Sequence, residues 1–214
     1  MLEIKNITKK YQKGGNIFTA LDGVTLYVEK GDFIAIVGPS GSGKSTLLNT
    51  VGGLIRPDSG QVLFNGNDIY SVKRHEADFY RSKNIGFVFQ QFHLLSYLTV
   101  WENIKMVCAG FADDSEIESY LEICSLLPLK SKYPGELSVG EKQRTAFIRA
   151  IITKPDILLA DEPTGNLDPE NSRILMALIE DFHREGGTVL LVSHDPESPK
   201  YATRQIALQS GKLV

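Results

Sequence analysis

Apolar positions along this chain follow three rhythms, and each predicts a different element. Leu2, Ile4 and Ile7 begin an alternating strand, and Ile17 to Val28 alternates again around Asp22-Gly23, a hairpin turn signal. Gln61-Val62-Leu63-Phe64 followed by Asn65-Gly66 predicts another short strand with its turn. Phe33 to Val37, Ile85 to Phe89, Ile157 to Ala160 and Thr188 to Val192 are instead short and continuously apolar, the pattern of strands covered on both faces. Helical spacing fills the intervals. Asp168-Pro169-Glu170 sets a capping Asp before Pro at the first helical position. Ile174, Leu175, Leu178, Ile179 and Phe182 then form one stripe that Gly186-Gly187 ends. From Thr99 to about Leu129 the spacing is mostly helical, with Ser115-x-x-Glu118 as its capping box. The expected architecture is an α/β core with a mainly parallel sheet and a helical lobe inserted into it, its far edge near Ser131-Lys132-Tyr133-Pro134-Gly135.

Composition narrows the class. A chain of 214 residues that is 42% hydrophobic and 23% charged is one large domain, or a core carrying an inserted lobe. It buries about 70% of its unfolded surface and needs no disulfide or structural metal to fold. Cys108 and Cys124 have no CxxC spacing, and the four His are scattered, so a reduced, cytoplasmic chain is expected. The longest apolar runs fall far short of the ~20 residues of a membrane span, and Met1-Leu2-Glu3-Ile4-Lys5 does not read as a signal peptide. A membrane role therefore requires another chain. A net charge of −3 and a pI near 5.8 exclude a binder of nucleic acid that relies on a broad basic face.

Two motifs carry chemistry. Gly38-Pro39-Ser40-Gly41-Ser42-Gly43-Lys44-Ser45 satisfies GxxxxGK[ST], follows an apolar strand, and opens a helical stretch at Thr46-Leu47-Leu48. Glycines let successive backbone N–H groups curl around a β-phosphate, and the helix N-terminus adds partial positive charge. Lys44 is expected on the β- and γ-phosphates and the Ser45 hydroxyl on Mg²⁺. Ile157-Leu158-Leu159-Ala160-Asp161-Glu162 is the matching acidic strand end: Asp161 faces the Mg²⁺ shell, and Glu162 is free to polarise the attacking water. Ser138-x-x-Glu141 is a capping box in its own right, before a helix apolar on most faces.

Leu137-Ser138-Val139-Gly140-Glu141-Lys142-Gln143-Arg144 precedes the acidic pair, Asn166-Leu167-Asp168 follows it, and Ser193-His194-Asp195 ends the last of the buried runs. With the phosphate loop, this ordered set resembles the nucleotide-binding domain of an ATP-binding cassette (ABC) transporter over nearly the whole chain. Asp161-Glu162-Pro163-Thr164-Gly165-Asn166-Leu167-Asp168 is similar to the lipoprotein-release, macrolide-export and cell-division branch (LolD, MacB and FtsE types). So is Ile85-Gly86-Phe87-Val88-Phe89-Gln90-Gln91-Phe92-His93-Leu94-Leu95-Ser96, with Leu98-Thr99 and Glu102-Asn103 beyond it.

The resemblance implies the ABC ATPase fold: an α/β P-loop NTPase core, an N-terminal antiparallel β subdomain, and an α-helical subdomain at about 92–135, within a single domain 1–214. It implies ATP and Mg²⁺ as cofactors, held by residues 38–46, with Ser45, Gln90 and Asp161 on the metal. Tyr11 stacks on adenine or else is a packed surface side chain, with Phe18 lying close. Gln90, with Gln91 as the adjacent register, links core to helical lobe. Glu162, His194, Gln90 and Lys44 are the catalytic set. Ser138, Gly140 and Glu141 reach the γ-phosphate held by a second copy, and Asp168 lies across the same interface. Val139 departs from the family's glycine and weakens that reach. The implied partners are a second copy and an integral membrane permease, with no nucleic acid, at the cytoplasmic face of the cell membrane. Phe92, Leu94, Leu95, Tyr97 and Leu98 line the permease groove or else pack in the core. The alternatives are an ATP-gated clamp with slow hydrolysis and, last, a soluble ABC protein of translation or DNA repair.

Overall fold

The computed structural model describes residues 1–108, 110–194 and 198–214, so Asp195 of the Ser193-His194-Asp195 run lies outside the described residues. All four continuous apolar runs are parallel strands of one sheet: β3 (Phe33–Val37), β6 (Ile85–Phe89), β7 (Ile157–Asp161) and β8 (Thr188–Val192). β9 (Arg204–Gln209) joins β3 in parallel, and β10 (Lys212–Leu213) turns back antiparallel on it, giving the order β10-β9-β3-β8-β7-β6. A second, antiparallel sheet has the order β2-β1-β4-β5, from β1 (Leu2–Lys13), β2 (Asn16–Val28), β4 (Ser59–Phe64) and β5 (Asn67–Asp68).

Strand period 2 divides the core into two layers. Phe33, Val88, Leu158, Ala160, Val189 and Leu191 face α5 (Val139–Ile151), α6 (Pro169–Arg184), and the α3 (Val100–Lys105) and α4 (Asp114–Ile123) segment. Their neighbours Ile34, Ile36, Leu159, Leu190 and Val192 face α1 (Lys44–Val51) and the antiparallel sheet. Both thiols are free and buried in the helical layer. Among the described residues no helix is long and apolar enough to cross a membrane.

Three local expectations need correcting. Asp22-Gly23 is not a hairpin turn. β2 runs through it, and the turn is at Gly14-Gly15, whose φ angles are +56° and +83°. The register slips there, with Ile7 opposite Val24 but Lys9 opposite Leu21. That is a bulge, and the released Asp22 N–H donates to Gly211 O at 2.9 Å. Ser115 does not cap α4. Asp113 does, accepting from Glu116 N at 2.9 Å, while the Ser115 hydroxyl donates to the same carboxylate. A capping box expected further on instead sits earlier, at Thr99 and Glu102 of α3. On α6 the buried residues are Leu175, Met176 and Ile179, and Ile174 is exposed. Asp168 caps α6 as expected, accepting from the N–H groups of Glu170 and Asn171. α2 (Arg74–Asn84) and the β9-β10 pair have no counterpart in the sequence reading.

Candidate nucleotide site

The loop from Gly38 to Gly43 leaves the C-terminal end of β3 and delivers Lys44 as the first residue of α1. Close approach dictates its glycines. A Cβ at Gly38 would stand 2.1 Å from Leu208 O, and one at Gly43, where φ is +107°, 2.2 Å from Ala20 O. Lys44 is buried, and its ammonium donates to Gly38 O (2.8 Å) and Pro39 O (3.1 Å), which holds the charge inside the curl of the loop. Ser42 is buried in the same loop with no hydrogen-bond partner for its hydroxyl.

Parallel pairing aligns the strand ends and so brings distant residues to one place. β7 ends at Asp161, and the Ser45 hydroxyl donates to Asp161 Oδ1 at 3.0 Å. Burial pushes the Asp161 carboxyl above the usual range. The Ser45 hydrogen bond opposes that, the Glu162 charge adds to it, and Lys44 opposes it. Glu162 follows with φ +49°, its N–H tied to Val192 O at 2.8 Å, and His194 Nδ1 pairs with its Oε2. A cleft of about 350 Å³ is lined by Tyr11, Phe18, Ala20, Ser40, Gly41, Gly43 to Thr46, Gln90, Asp161 and Glu162. Tyr11 and Phe18 are directly opposite on β1 and β2, and both are exposed. Gln90, not its exposed neighbour Gln91, lines the cleft, with its amide against Gly165. On the far side of Pro39 and Ser40, His194 borders a second cleft of about 660 Å³.

Ser138, Gly140, Glu141 and Asp168 are not among the residues lining either cleft. Ser138 accepts from Glu141 N (3.3 Å) while Glu141 accepts from Ser138 N (2.7 Å), the predicted capping box. Val139 is the first residue of α5 and 44% exposed.

Two residues to which the sequence reading gave no role, Gln143 within the Leu137–Arg144 run and Arg149 beyond it, tie the loops of the site to α5. Gln143, 1% exposed on α5, donates from Nε2 to Pro163 O (2.8 Å), beside Glu162, and to Phe89 O (3.2 Å), beside Gln90. Six residues along, Arg149 donates to the carbonyls of Phe92 (2.9 Å) and His93 (2.7 Å). Helical phase carried the signal, because Gln143 is a polar residue in line with the buried Phe147 and Ala150.

The donors suit the expected groups. A Ser hydroxyl, an Asp carboxylate and a Gln amide are hard oxygen ligands of the kind Mg²⁺ takes alongside phosphate and water. Among the described residues no group of three or more His, Cys, Asp and Glu is placed to hold a metal ion.

A parallel sheet with a phosphate loop after one strand and an acidic pair ending another defines a P-loop nucleotide-binding protein. The sequence model of the ABC transporter family matches residues 21–165, and the chain belongs to that family as an ATP-binding domain. It is 41% identical over its whole length to the macrolide export ATP-binding/permease protein MacB of Chlorobaculum tepidum, of which it spans 34%. It is also 41% identical to the ABC transporter ATP-binding protein YxdL of Bacillus subtilis, covering all of this chain and 85% of that one. The dimeric structure of MJ0796, a bacterial ABC transporter cassette, superposes with a TM-score of 0.93 at 36% identity, covering 100% of this chain and 96% of the other. A post-hydrolysis state of the same cassette bound to ADP and Pi gives 0.93 at 35%, with the same coverage. The fold is that of the ABC ATPases.

Proposed function

We propose that this chain is the ATP-hydrolysing subunit of an ABC transporter, pairing with a second copy head to tail around two Mg·ATP to drive a separate membrane permease. One observation carries the reading: the expected site residues split into two groups. Lys44, Ser45, Asp161, Glu162 and Gln90 converge on one cleft, while Ser138, Gly140 and Asp168 line neither it nor its neighbour. Two half-sites in one chain are completed by a two-fold partner.

Ser45, Asp161 and Gln90 would hold Mg²⁺, whose charge offsets that of the phosphate oxygens when it is bound. Tyr11 and Phe18 take the base between strand-borne aromatic faces. Lys44 and the loop N–H groups take the β- and γ-phosphates. Glu162 orients a water and accepts its proton as the oxygen bonds to the γ-phosphorus. The β–γ bridging bond breaks with its electron pair going to ADP, which releases phosphate. His194 holds the Glu162 carboxylate and reaches the γ-phosphate. Residues 92–135 act as a helical subdomain within the single domain 1–214. Phe92, Leu94, Leu95, Tyr97 and Leu98, half-buried to exposed, meet the permease at the cytoplasmic face of the membrane. The relative named for macrolide export supports an exporting or lipid-extracting complex.

Glu162→Gln tests the reading. The amide keeps the shape but cannot accept the water's proton, so ATP binding persists, phosphate release stops, and the trapped nucleotide holds a dimer on size exclusion. A variant that stays monomeric at high concentration with Mg·ATP refutes the sandwich. Val139, an exposed isopropyl group where the family carries glycine, favours a second reading: an ATP-gated clamp that hydrolyses slowly. Phosphate release by the chain with its co-purifying membrane protein separates the two.

A further inference from the structure

α5 and α6 approach each other near their N-terminal ends, and one side chain fills the join. Asn171, in the first turn of α6, accepts at Oδ1 from Arg144 Nη1 of α5 at 2.7 Å. Its Nδ2 donates to Asp168 Oδ2 at 2.7 Å, and its backbone N–H to Asp168 Oδ1 at 2.9 Å. Arg144 is fixed in turn, since its Nε donates to Cys124 O at 3.1 Å. A chain of hydrogen bonds, with the Arg144 cation along it and the Asp168 carboxylate at its end, thus runs from the α4 terminus through α5 to the cap of α6.

The same carboxamide lies on Gly140. A Cβ there would stand 2.1 Å from Asn171 Oδ1 and 2.5 Å from its Cγ, distances no real Cβ tolerates. Gly140 is not among the positive-φ glycines, so its backbone is one that alanine adopts freely. A side chain at 140 has to displace that carboxamide, which Arg144 and Asp168 hold in place. The atoms occupying that space belong to this chain.

We propose that Asn171 is a positioning residue: it joins the Ser138–Gly140 segment and Asp168 into one rigid face, its carboxamide filling the space that a side chain at 140 would need. The proposal rests on the reading that both segments meet the ATP of a second copy. Head-to-tail closure requires them to engage together, and a pair already locked in relative position loses less freedom on docking than two loose segments. Asp168 is held in the same way. Both of its oxygens are taken up within the chain, and the Asn171 backbone and side-chain hydrogen bonds keep its carboxyl below the usual range.

The test is a double-variant cycle in a Glu162→Gln parent, reading the protein concentration needed for dimerisation by Mg·ATP, the ATP affinity of the dilute monomer, and melting without nucleotide. Asn171→Ala should leave monomer affinity unchanged and raise the required concentration about tenfold, because two segments no longer held together within the chain must be ordered on docking. Gly140→Ala should be at least as harmful when Asn171 is present. Its penalty should shrink once Asn171→Ala has cleared the space, the remainder being the cost of a methyl group facing the partner's phosphate. A merely structural Asn171 would lower melting without touching that coupling.

An equal penalty for Gly140→Ala in both backgrounds overturns the proposal, because the glycine is then required by something other than Asn171. A harmless Gly140→Ala, or normal dimerisation of Asn171→Ala, overturns it too. If Asn171→Ala fails to fold, Asn171→Ser clears the same space and takes its place; failure of both makes Asn171 a folding residue and ends the proposal. A parent that does not dimerise overturns the sandwich reading itself, an outcome distinct from all of these.

Discussion

Replacing Gln143 with leucine keeps the side-chain volume and deletes both tethers that α5 extends to the loops after β6 and β7. The stability ledger is nearly balanced. Two hydrogen bonds are lost, at a net ~1 kcal/mol each. Against that, Gln143 Oε1 is buried without a partner, and its removal recovers on the order of 1–3 kcal/mol of desolvation. The buried Pro163 O also loses its donor, a cost of the same order, so a net loss of about 1 kcal/mol is expected. For a chain of this size that moves the melting temperature by roughly 2–4 °C. Activity should respond far more strongly. Phe89 O adjoins Gln90 and Pro163 O adjoins Glu162, so the tethers set the separation of two groups that, in the proposed function, act on one water and one phosphate. A shift of about 1 Å in such groups costs on the order of a hundredfold in rate. Gln143→Leu should therefore lower steady-state phosphate release by ten- to a hundredfold, with ATP affinity nearly unchanged, because Lys44 and the loop amides are untouched. Scanning calorimetry, equilibrium nucleotide binding and a phosphate-release assay separate the effects. Wild-type turnover in a variant that melts normally would refute the tether.

Asp161→Asn should not destabilise the protein without nucleotide. The folded carboxyl has a raised pKa, so the wild type binds more protons folded than unfolded above about pH 4 and loses stability as pH climbs through that window. Melting curves should show the variant equal or higher at neutral pH, with the difference vanishing below about pH 4, while Mg-dependent nucleotide affinity falls. A lower neutral-pH melting point for the variant contradicts the sign. Asn103 is fully buried, accepts from Leu95 N and donates to the carbonyls of Leu95, Leu98 and Thr99. Asn103→Ala should cost about 2–4 kcal/mol and lower melting by roughly 5–12 °C, and an unchanged curve counts against this knot holding the segment. Val139→Gly should lower the melting point slightly, because glycine in a helix costs up to ~1 kcal/mol, yet raise ATP-driven dimerisation or turnover. If both fall in a folded variant, the isopropyl group is no impediment.

Elements whose apolar pattern is uninterrupted were legible before any coordinates, and those whose burial is borrowed from neighbours were not. Phe33–Val37 and Thr188–Val192 are covered on both faces, and their composition says so. β9 shows only Leu208 buried and belongs to the sheet because β3 offers it a free edge. α2 has one buried apolar side chain, Tyr80, among charged residues, too little for a stripe. Asp22-Gly23 has the chemistry of a turn and is used as a bulge, since the hairpin is closed by Gly14-Gly15. In the site, the residues expected to handle phosphate stand at strand ends and are contiguous in motifs. Those that position them act across 20 to 54 residues of chain, as Gln143 does to Pro163 and Phe89. Such contacts exist only once helix and sheet have packed.

The backbone at Glu162 shows how the site is aimed. A residue following Asp161 in extended conformation would continue past the sheet edge, with its side chain on the opposite face. At φ +49° the chain instead turns back at once, a conformation that costs a non-glycine residue roughly 1–2 kcal/mol. It is held from both sides, by Glu162 N to Val192 O at 2.8 Å and by Gly165 N to Glu162 O at 3.1 Å. The first of these bonds ties the turn to β8, the strand that His194 follows, so the contact that fixes the backbone of Glu162 also fixes its distance from His194. The left-handed turn directs adjacent acids to different tasks, Asp161 toward Ser45 and Glu162 toward His194. A glycine at 162 would make the turn without the backbone cost, but would leave no carboxylate to meet His194. Retaining glutamate in a conformation that favours glycine is the mark of a position held for its side chain.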